Sequence, residues 1–335
     1  MPPETIEVTD SFRAMNTDIE LILYPKLASQ PNPKKSGATS SSRTILERKT
    51  AVTIGKIKEL FAQTEACLSR FQPQSELSKL NQQGYLTGAS PLLYQSVSEA
   101  LKMAELTNGI FDPTLLKALE AAGYDRSFEL LGQGQVVLAA GFTMPSFHRY
   151  RKILLDPAKQ AITLPPDTKI DLGGIGKGMT VDRAARLLKQ EGITTFMMSG
   201  GGDMYLSGEQ PGITPPGWTV AVINPFTQEG EITDLEGLSN RGVATSSISK
   251  RRWSSGQQGR LAVRHHLIDP RTGQPVENEV VCVTAIAPST QLADVLAKTA
   301  LILGPVEGRQ FIEKQPGCAA LFITSNGTQI RTIGI

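Results

Sequence analysis

Cysteine and histidine are both scarce in this chain of 335 residues, which has three of each. Cys67, Cys282 and Cys318 are odd in number and widely spaced. That excludes a disulfide scaffold and a CxxC-type zinc site, and it points to a reducing compartment. An excess of one charge is missing too: 34 basic side chains face 32 acidic ones, so the balance does not favour nucleic acid as the main partner. No apolar run approaches the roughly 18–20 residues that a membrane helix needs. The opening MPPETIEVTDSFRAMNTDIE has no basic or apolar leader region, and no signal peptide is expected. What is present is an apolar fraction of 40% with 31 glycines and 21 prolines. That is enough for a core in one large domain or two modest ones, with many turns. Composition implies a soluble, cytoplasmic, globular protein and does not select a reaction.

Residues 18–25 alternate Ile19, Leu21 and Leu23 and read as a strand. The stretch 26–50 is rich in Pro, Ser and Lys without apolar periodicity and reads as a flexible surface insertion. Helices are expected at about 51–68 and 92–107, with short strands near 152–155 and 161–164. A helix over about 178–190 carries Val181, Ala184, Ala185 and Leu188 on one stripe. Residues 195–203 are a strand entering a glycine turn. Strands at 217–223, 260–268 and 279–287 precede a helix over about 292–303, and a last helix and two strands (318–324, 328–333) close the chain. Strands and helices neither alternate strictly nor segregate into halves, which predicts an α+β fold.

Three clusters could carry chemistry. Ile170-Asp-Leu-Gly-Gly-Ile-Gly-Lys-Gly178 joins a strand to a helix start, where unpaired N–H groups and the dipole attract a phosphate and Lys177 adds a charge. It matches neither a P-loop, because Asp171 and Gly178 stand where Gly and Ser/Thr are needed, nor the G-x-G-x-x-G fingerprint. A phosphate site and a plain tight turn both fit it. His265-His266-Leu-Ile-Asp269-Pro-Arg-Thr-Gly273 ends in a turn by composition. Its adjacent histidines point to opposite faces of a strand, so at most one reaches a given pocket, as a general base or as a hydrogen-bonded turn histidine. Asp294 opens an otherwise apolar helix and suits a dipole partner, a metal ligand or an ion pair with Lys298 at i+4. Gly109-Ile-Phe-Asp-Pro-Thr114 is a turn with an apolar plug. Thr245-Ser-Ser-Ile-Ser-Lys-Arg-Arg-Trp253 mixes hydroxyls and cations, as a phosphate contact or a solvated strand end.

Taken in this order, from Met15 to about Gly304, these segments resemble the ApbE family of FAD:protein FMN transferases. The family's Met-Gly-Thr-like start is Met15-Asn16-Thr17. Its next segment is Ser69-Arg-Phe71-Gln-Pro-Gln-Ser75-Glu-Leu-Ser-Lys-Leu-Asn81, followed by G-x-F-D-P-T at 109–114. D-L-G-G-I-A-K-G corresponds to 171–178, with Gly176 in place of Ala, and runs on to Val181-Asp182. Gly201-Gly202-Asp203, the H-x-I-D-P-x-T-G of 266–273 and Ala293-Asp294 complete the set. Each piece is weak by itself, and seven in the family's order make chance improbable.

The resemblance implies an ApbE-like α+β fold, with mixed or antiparallel sheets flanked by helices, as a single FAD-binding domain over 1–335. It implies FAD as substrate, bound by Met15, Phe71, Ile110, Phe111, Asp112, Asp171, Lys177 and Ile268. It further implies Mg²⁺ held by the Gly174 carbonyl and Asp294, His266 as the base, and an acceptor flavoprotein that receives FMN on a Thr or Ser. Two departures stand out. Lys298 occupies the position of the usual metal-binding Thr, and Thr299 lies about 100° further round the helix. Such a lysine either puts its ammonium near the phosphates in place of the metal or pairs with Asp294 and disables the site. The usual T-S-G-x-Y reads Thr245-Ser246-Ser247-Ile248, followed by cations. An FAD pyrophosphatase and a non-catalytic flavin-binding or delivery protein are the alternative activities.

Overall fold

The computed structural model describes residues 5–26, 39–126, 147–227, 229–249, 252–257 and 260–334. Its centre is an eight-stranded sheet whose spatial order follows chain order. The strands are β1 (Val8–Ala14), β2 (Thr17–Leu23), β3 (Phe196–Gly200), β4 (Asp203–Ser207), β5 (Arg241–Ser247), β6 (Val280–Ala287), β7 (Ala319–Thr324) and β8 (Gln329–Arg331). All neighbours pair antiparallel. The helices are α1 (Thr39–Leu68), α2 (Glu76–Gln83), α3 (Pro91–Leu106), α4 (Leu116–Ala121), α5 (Gly176–Gln190) and α6 (Thr290–Glu313). The architecture is α+β, and among the described residues every strand pair is antiparallel.

Period-two alternation places two apolar faces on the sheet. On one face, Ile19, Leu21 and Leu23 of β2 pack with Phe196 and Met198 of β3 under Ile57 and Phe61 of α1 and the Val181, Ala184, Ala185, Leu188 stripe of α5. Further along, Ala244, Val283, Ala285 and Phe322 pack under Ala293, Leu296, Ala297 and Ala300 of α6. Small residues on that helix let it lie close to the sheet. The opposite face carries Leu206, Val243, Cys282, Ile286, Leu321 and Ile323, covered by Trp218, Val220, Val222, Leu235 and Leu238 from the hairpin of Trp218–Ile223 and Glu231–Leu238. A further layer packs α2 and α3 against the strand trio Tyr85–Leu86, Ala161–Thr163 and Leu154–Asp156.

Two expectations change. The first helix starts at Thr39, so residues 39–50 are its opening turns rather than a flexible insertion. The Thr50 and Thr53 hydroxyls donate to the Leu46 and Lys49 carbonyls, and Arg43 pairs with Glu47 one turn on. Local i,i+4 bonds thus extend a helix whose exposed side is polar; residues 27–38 lie outside the described residues. The expected helices after 290 form one element with a break at Gly304, whose φ of 83° and ψ of −176° interrupt it just before Pro305. Proline accounts for the break, because it lacks an N–H and restricts the residue before it. Among the described residues, no helix is long and apolar enough to cross a membrane.

Helices α5 and α6 meet at their N-terminal ends. The Asp182 carboxylate accepts hydrogen bonds from Thr290 N (2.8 Å) and Gln291 N (2.9 Å), two of the donors that a helix start leaves unsatisfied. Ser289 caps α6 as well, accepting from Leu292 N. Gly178 is what permits the approach: a Cβ there would lie 2.8 Å from Gln291 Cα and 2.9 Å from its nitrogen. Gly→Ala inside a helix normally gains roughly 0.5–1 kcal/mol. Gly178→Ala should invert that sign and destabilise by about 1–3 kcal/mol through overpacking. Chemical denaturation checks this, and an unchanged or higher midpoint would refute the close-approach argument.

Candidate active site

A cavity of about 230 Å³ opens between the α5–α6 junction, the loop before α4 and the turn after His266. Local turn chemistry builds its walls. In the GIFDPT segment, Gly109 has φ 79° and its N–H reaches the Ala104 carbonyl at 2.7 Å, closing α3. Phe111 N donates to Thr107 Oγ1 at 3.0 Å. Asp112 caps the short 3₁₀ turn Pro113–Leu115, its Oδ1 accepting from Thr114 N (2.8 Å) and Thr114 Oγ1 (2.7 Å). The strand-to-helix segment is tied down on both sides: Asn81 exchanges two bonds with the Ile170 backbone, and Asp171 N donates to the Pro113 carbonyl.

The histidines divide as their alternation requires. His265 is buried in the wall, where Nδ1 accepts from Leu267 N (3.3 Å) and Nε2 lies 3.1 Å from the Val276 carbonyl. These partners set the tautomer with the proton on Nε2. His266 lines the cavity. Behind it the DPRTG turn closes with Gly273 N on the Asp269 carbonyl (2.7 Å), while Arg271 forks onto the Asp269 carboxylate.

The same cavity is lined by two lysine–aspartate pairs. Lys177, in the first turn of α5, pairs with Asp203 at the start of β4. Lys298 pairs with Asp294 one turn earlier on α6. This i,i+4 pair is buried, unlike the solvated helix pair that spacing alone suggests. Burial and the Asp203 charge push the Asp294 carboxyl above its ordinary range, against the pull of Lys298 and Lys177. Asp294 Oδ2 is buried without a hydrogen-bond partner among the described residues. Gly174 adjoins the cluster; a side chain there would lie 3.1 Å from Phe111 and 3.7 Å from Lys298 Cε.

Of the residues expected at the site, Phe71, Ile110, Phe111, Asp112, Asp171, Gly174, Lys177, His266, Ile268 and Asp294 line this one cavity. Met15 is not among the lining residues. With Asn16 it forms the two-residue turn between β1 and β2, both at positive φ, a type I′ geometry. Its N–H is held by Glu65 (2.8 Å), and its Cε would be 3.6 Å from a Cβ on Gly176.

Sequence reasoning missed Arg70, Tyr124 and Asp203 as cavity residues. The Arg70 guanidinium lies over the rings of both Phe71 (4.2 Å) and Tyr124 (4.6 Å), donates to the Tyr124 carbonyl and pairs with Asp171 at 3.1 Å. The Arg-Phe dipeptide was a signal for the first of these; nothing local marks Tyr124. Thr245, Ser246 and Ser247 also line the cavity, and both serines are buried. Their strand is a cavity wall rather than a solvated end. Lys250 and Arg251 lie outside the described residues.

Burial raises the pKa of Asp112 above its ordinary 3.8, against the Thr114 hydrogen bonds. A carboxyl with a raised folded pKa contributes stability that is complete below its unfolded value and is lost as pH rises through the folded one. Asp112→Asn keeps an acceptor for both Thr114 bonds and carries no charge. Its stability relative to the native chain should therefore improve from pH 3 to pH 7 in urea melts. A pH-independent difference would show that Asp112 is not desolvated.

Comparison with known proteins gives the same picture throughout. The family model described as "ApbE family" matches residues 15–322. The chain is 27% identical over 326 residues, 90% of each sequence, to the FAD:protein FMN transferase of Escherichia coli K12. It is 25% identical to the ApbE protein of Thermotoga maritima, with a TM-score of 0.73 over 98% of this chain and 97% of that one. The flavin transferase ApbE of Vibrio cholerae, at 22% identity, shares the fold with a TM-score of 0.70 over 99% and 98%.

Proposed function

The chain belongs to the ApbE family, and we propose that it is an FAD:protein FMN transferase that moves FMN from FAD to a Thr or Ser hydroxyl of an acceptor flavoprotein. The observation that carries this reading is one cavity joining cations and a histidine to an apolar, aromatic wall. FAD has the matching parts: two aromatic ring systems and an anionic pyrophosphate between them. Phe71, Ile110, Phe111 and Ile268 offer flat apolar surface, and Lys177 offers charge next to the start of α5.

In the transfer, the acceptor oxygen attacks the FMN phosphorus as the bond from that phosphorus to the bridging oxygen breaks. AMP departs with the electron pair, and the hydroxyl proton passes to His266. Asp112 and Asp171 belong to the binding wall. Arg70, packed over two rings and paired with Asp171, ties that wall together. Cys67, Cys282 and Cys318 are all free thiols, which supports a reducing, cytoplasmic setting.

A divalent metal held by Gly174 and Asp294, which the family resemblance implies, does not suit this donor set. Asp294 Oδ1 is bonded to the Lys298 ammonium. A dication on the remaining oxygen would face that positive charge across a single carboxylate.

His266→Ala should lower transfer by about 10²–10⁴-fold while leaving FAD affinity nearly unchanged. Covalent flavin fluorescence on the acceptor, AMP release and an FAD titration measure the three quantities. Wild-type transfer in the variant would remove His266 from the reaction. AMP and free FMN formed by the native chain without any acceptor would instead indicate hydrolysis.

A further inference from the structure

The arrangement of charge around Lys298 has a consequence for how the cavity holds an anion. In both buried pairs the lysine is the more accessible partner: Lys177 and Asp203 side chains are 17% and 4% exposed, and Lys298 and Asp294 are 15% and 2%. All four side chains line the cavity, with the two lysines the more exposed member of each pair. The Lys298 chain reaches this place by crossing Gly174, with Cε and Cδ only 3.7 and 3.9 Å from where a Cβ would stand. A larger residue at position 174 would also strike Phe111 at 3.1 Å.

Helix stability does not account for the cations. Lys177 lies in the first turn of α5, where the dipole disfavours positive charge. The Lys298–Asp294 pair is desolvated, which commonly cancels the Coulombic gain. Two lysines and two aspartates leave this cluster neutral overall, and Arg70, Asp112 and Asp171 also line the cavity, so what the cluster offers a pyrophosphate is the N–H donors of two ammonium groups rather than a net positive charge.

We infer that the Lys298 ammonium is a built-in cation that takes the place of a divalent metal, so that Lys177 and Lys298 together hold the pyrophosphate of FAD without Mg²⁺. The inference rests on the flavin-dinucleotide reading of the cavity. No covalent step is involved: the pyrophosphate oxygens accept hydrogen bonds from the two ammonium groups, and Asp294 remains the counter-charge of Lys298.

FAD titrations of the full chain by flavin fluorescence, in EDTA and in millimolar Mg²⁺, test it. The expected result is the same affinity within about twofold in the two conditions. Lys298→Thr should weaken binding in EDTA by about tenfold or more, with affinity restored by Mg²⁺. Electron paramagnetic resonance with Mn²⁺ alone and with FAD gives a second readout. The native chain should bind no stoichiometric Mn²⁺ at this site, whereas Lys298→Thr with FAD should bind about one equivalent.

Magnesium-dependent FAD binding or one equivalent of Mn²⁺ on the native chain would overturn the inference and leave the transferase reading standing. Unchanged metal-free affinity in a folded Lys298→Thr variant would overturn it too. Absence of FAD binding under both conditions would overturn both readings. Should the variant not fold, the EDTA and Mn²⁺ measurements on the native chain still decide.

Discussion

The bond of Asp182 to the first backbone N–H groups of α6 is the constraint on which the site depends. It draws two helix starts together where their dipoles repel, and the carboxylate supplies the negative charge that makes this tolerable. Burial raises the Asp182 pKa, and the two backbone hydrogen bonds oppose that rise. Gly178 leaves room for the contact, and Thr290 Oγ1 ties the same turn to the Met204 carbonyl of β4. Because Lys177 immediately precedes Gly178, and Asp294 and Lys298 lie on the second and third turns of α6, this junction sets the position of all three. Asp203 enters the same cluster from the start of β4.

The other half of the cavity is made by turns whose side chains hydrogen-bond their own backbone. Asp112 over Thr114, and Asp269 over Arg271, are short-range Asx arrangements that need no distant partner to form. They present Phe111 on one side and His266 on the other. The Arg70 guanidinium joins these local pieces to the rest, stacked on two rings and paired with Asp171 from the strand-to-helix segment. An apolar wall and a charged end thus share one opening while resting on independent supports.

That most of the residues implied by the family resemblance line one cavity has a physical reason: its motifs are local turns, with glycine, Asp-Pro and capping residues at fixed offsets. That one of the two adjacent histidines reaches the cavity agrees with the alternation expected from sequence, although the strand ends at His265 and His266 lies in the bend that follows. The partners of Asp182, Asn81 and Asp203 were not legible in the sequence, because each is reached across a gap in the chain that no periodicity describes: Asn81 meets Ile170, and Asp182 meets Thr290. The first turns of α1 were hidden for another reason. Their exposed, polar residues lack an apolar stripe, and neighbouring-turn bonds hold them helical instead.

The sequence by itself determined the α+β class, the family resemblance and the short loops that line the cavity, since these depend on neighbours a few residues apart. It also located Lys298 one helical turn after Asp294. Only the tertiary structure decided what that lysine does to the charge of the site. The sequence permits a solvated helix pair; packing of α6 between sheet and cavity buries Asp294 and places the pair in the cavity lining. A charge has its meaning from its surroundings, and the dielectric around Asp294 is set by elements distant from it in the chain.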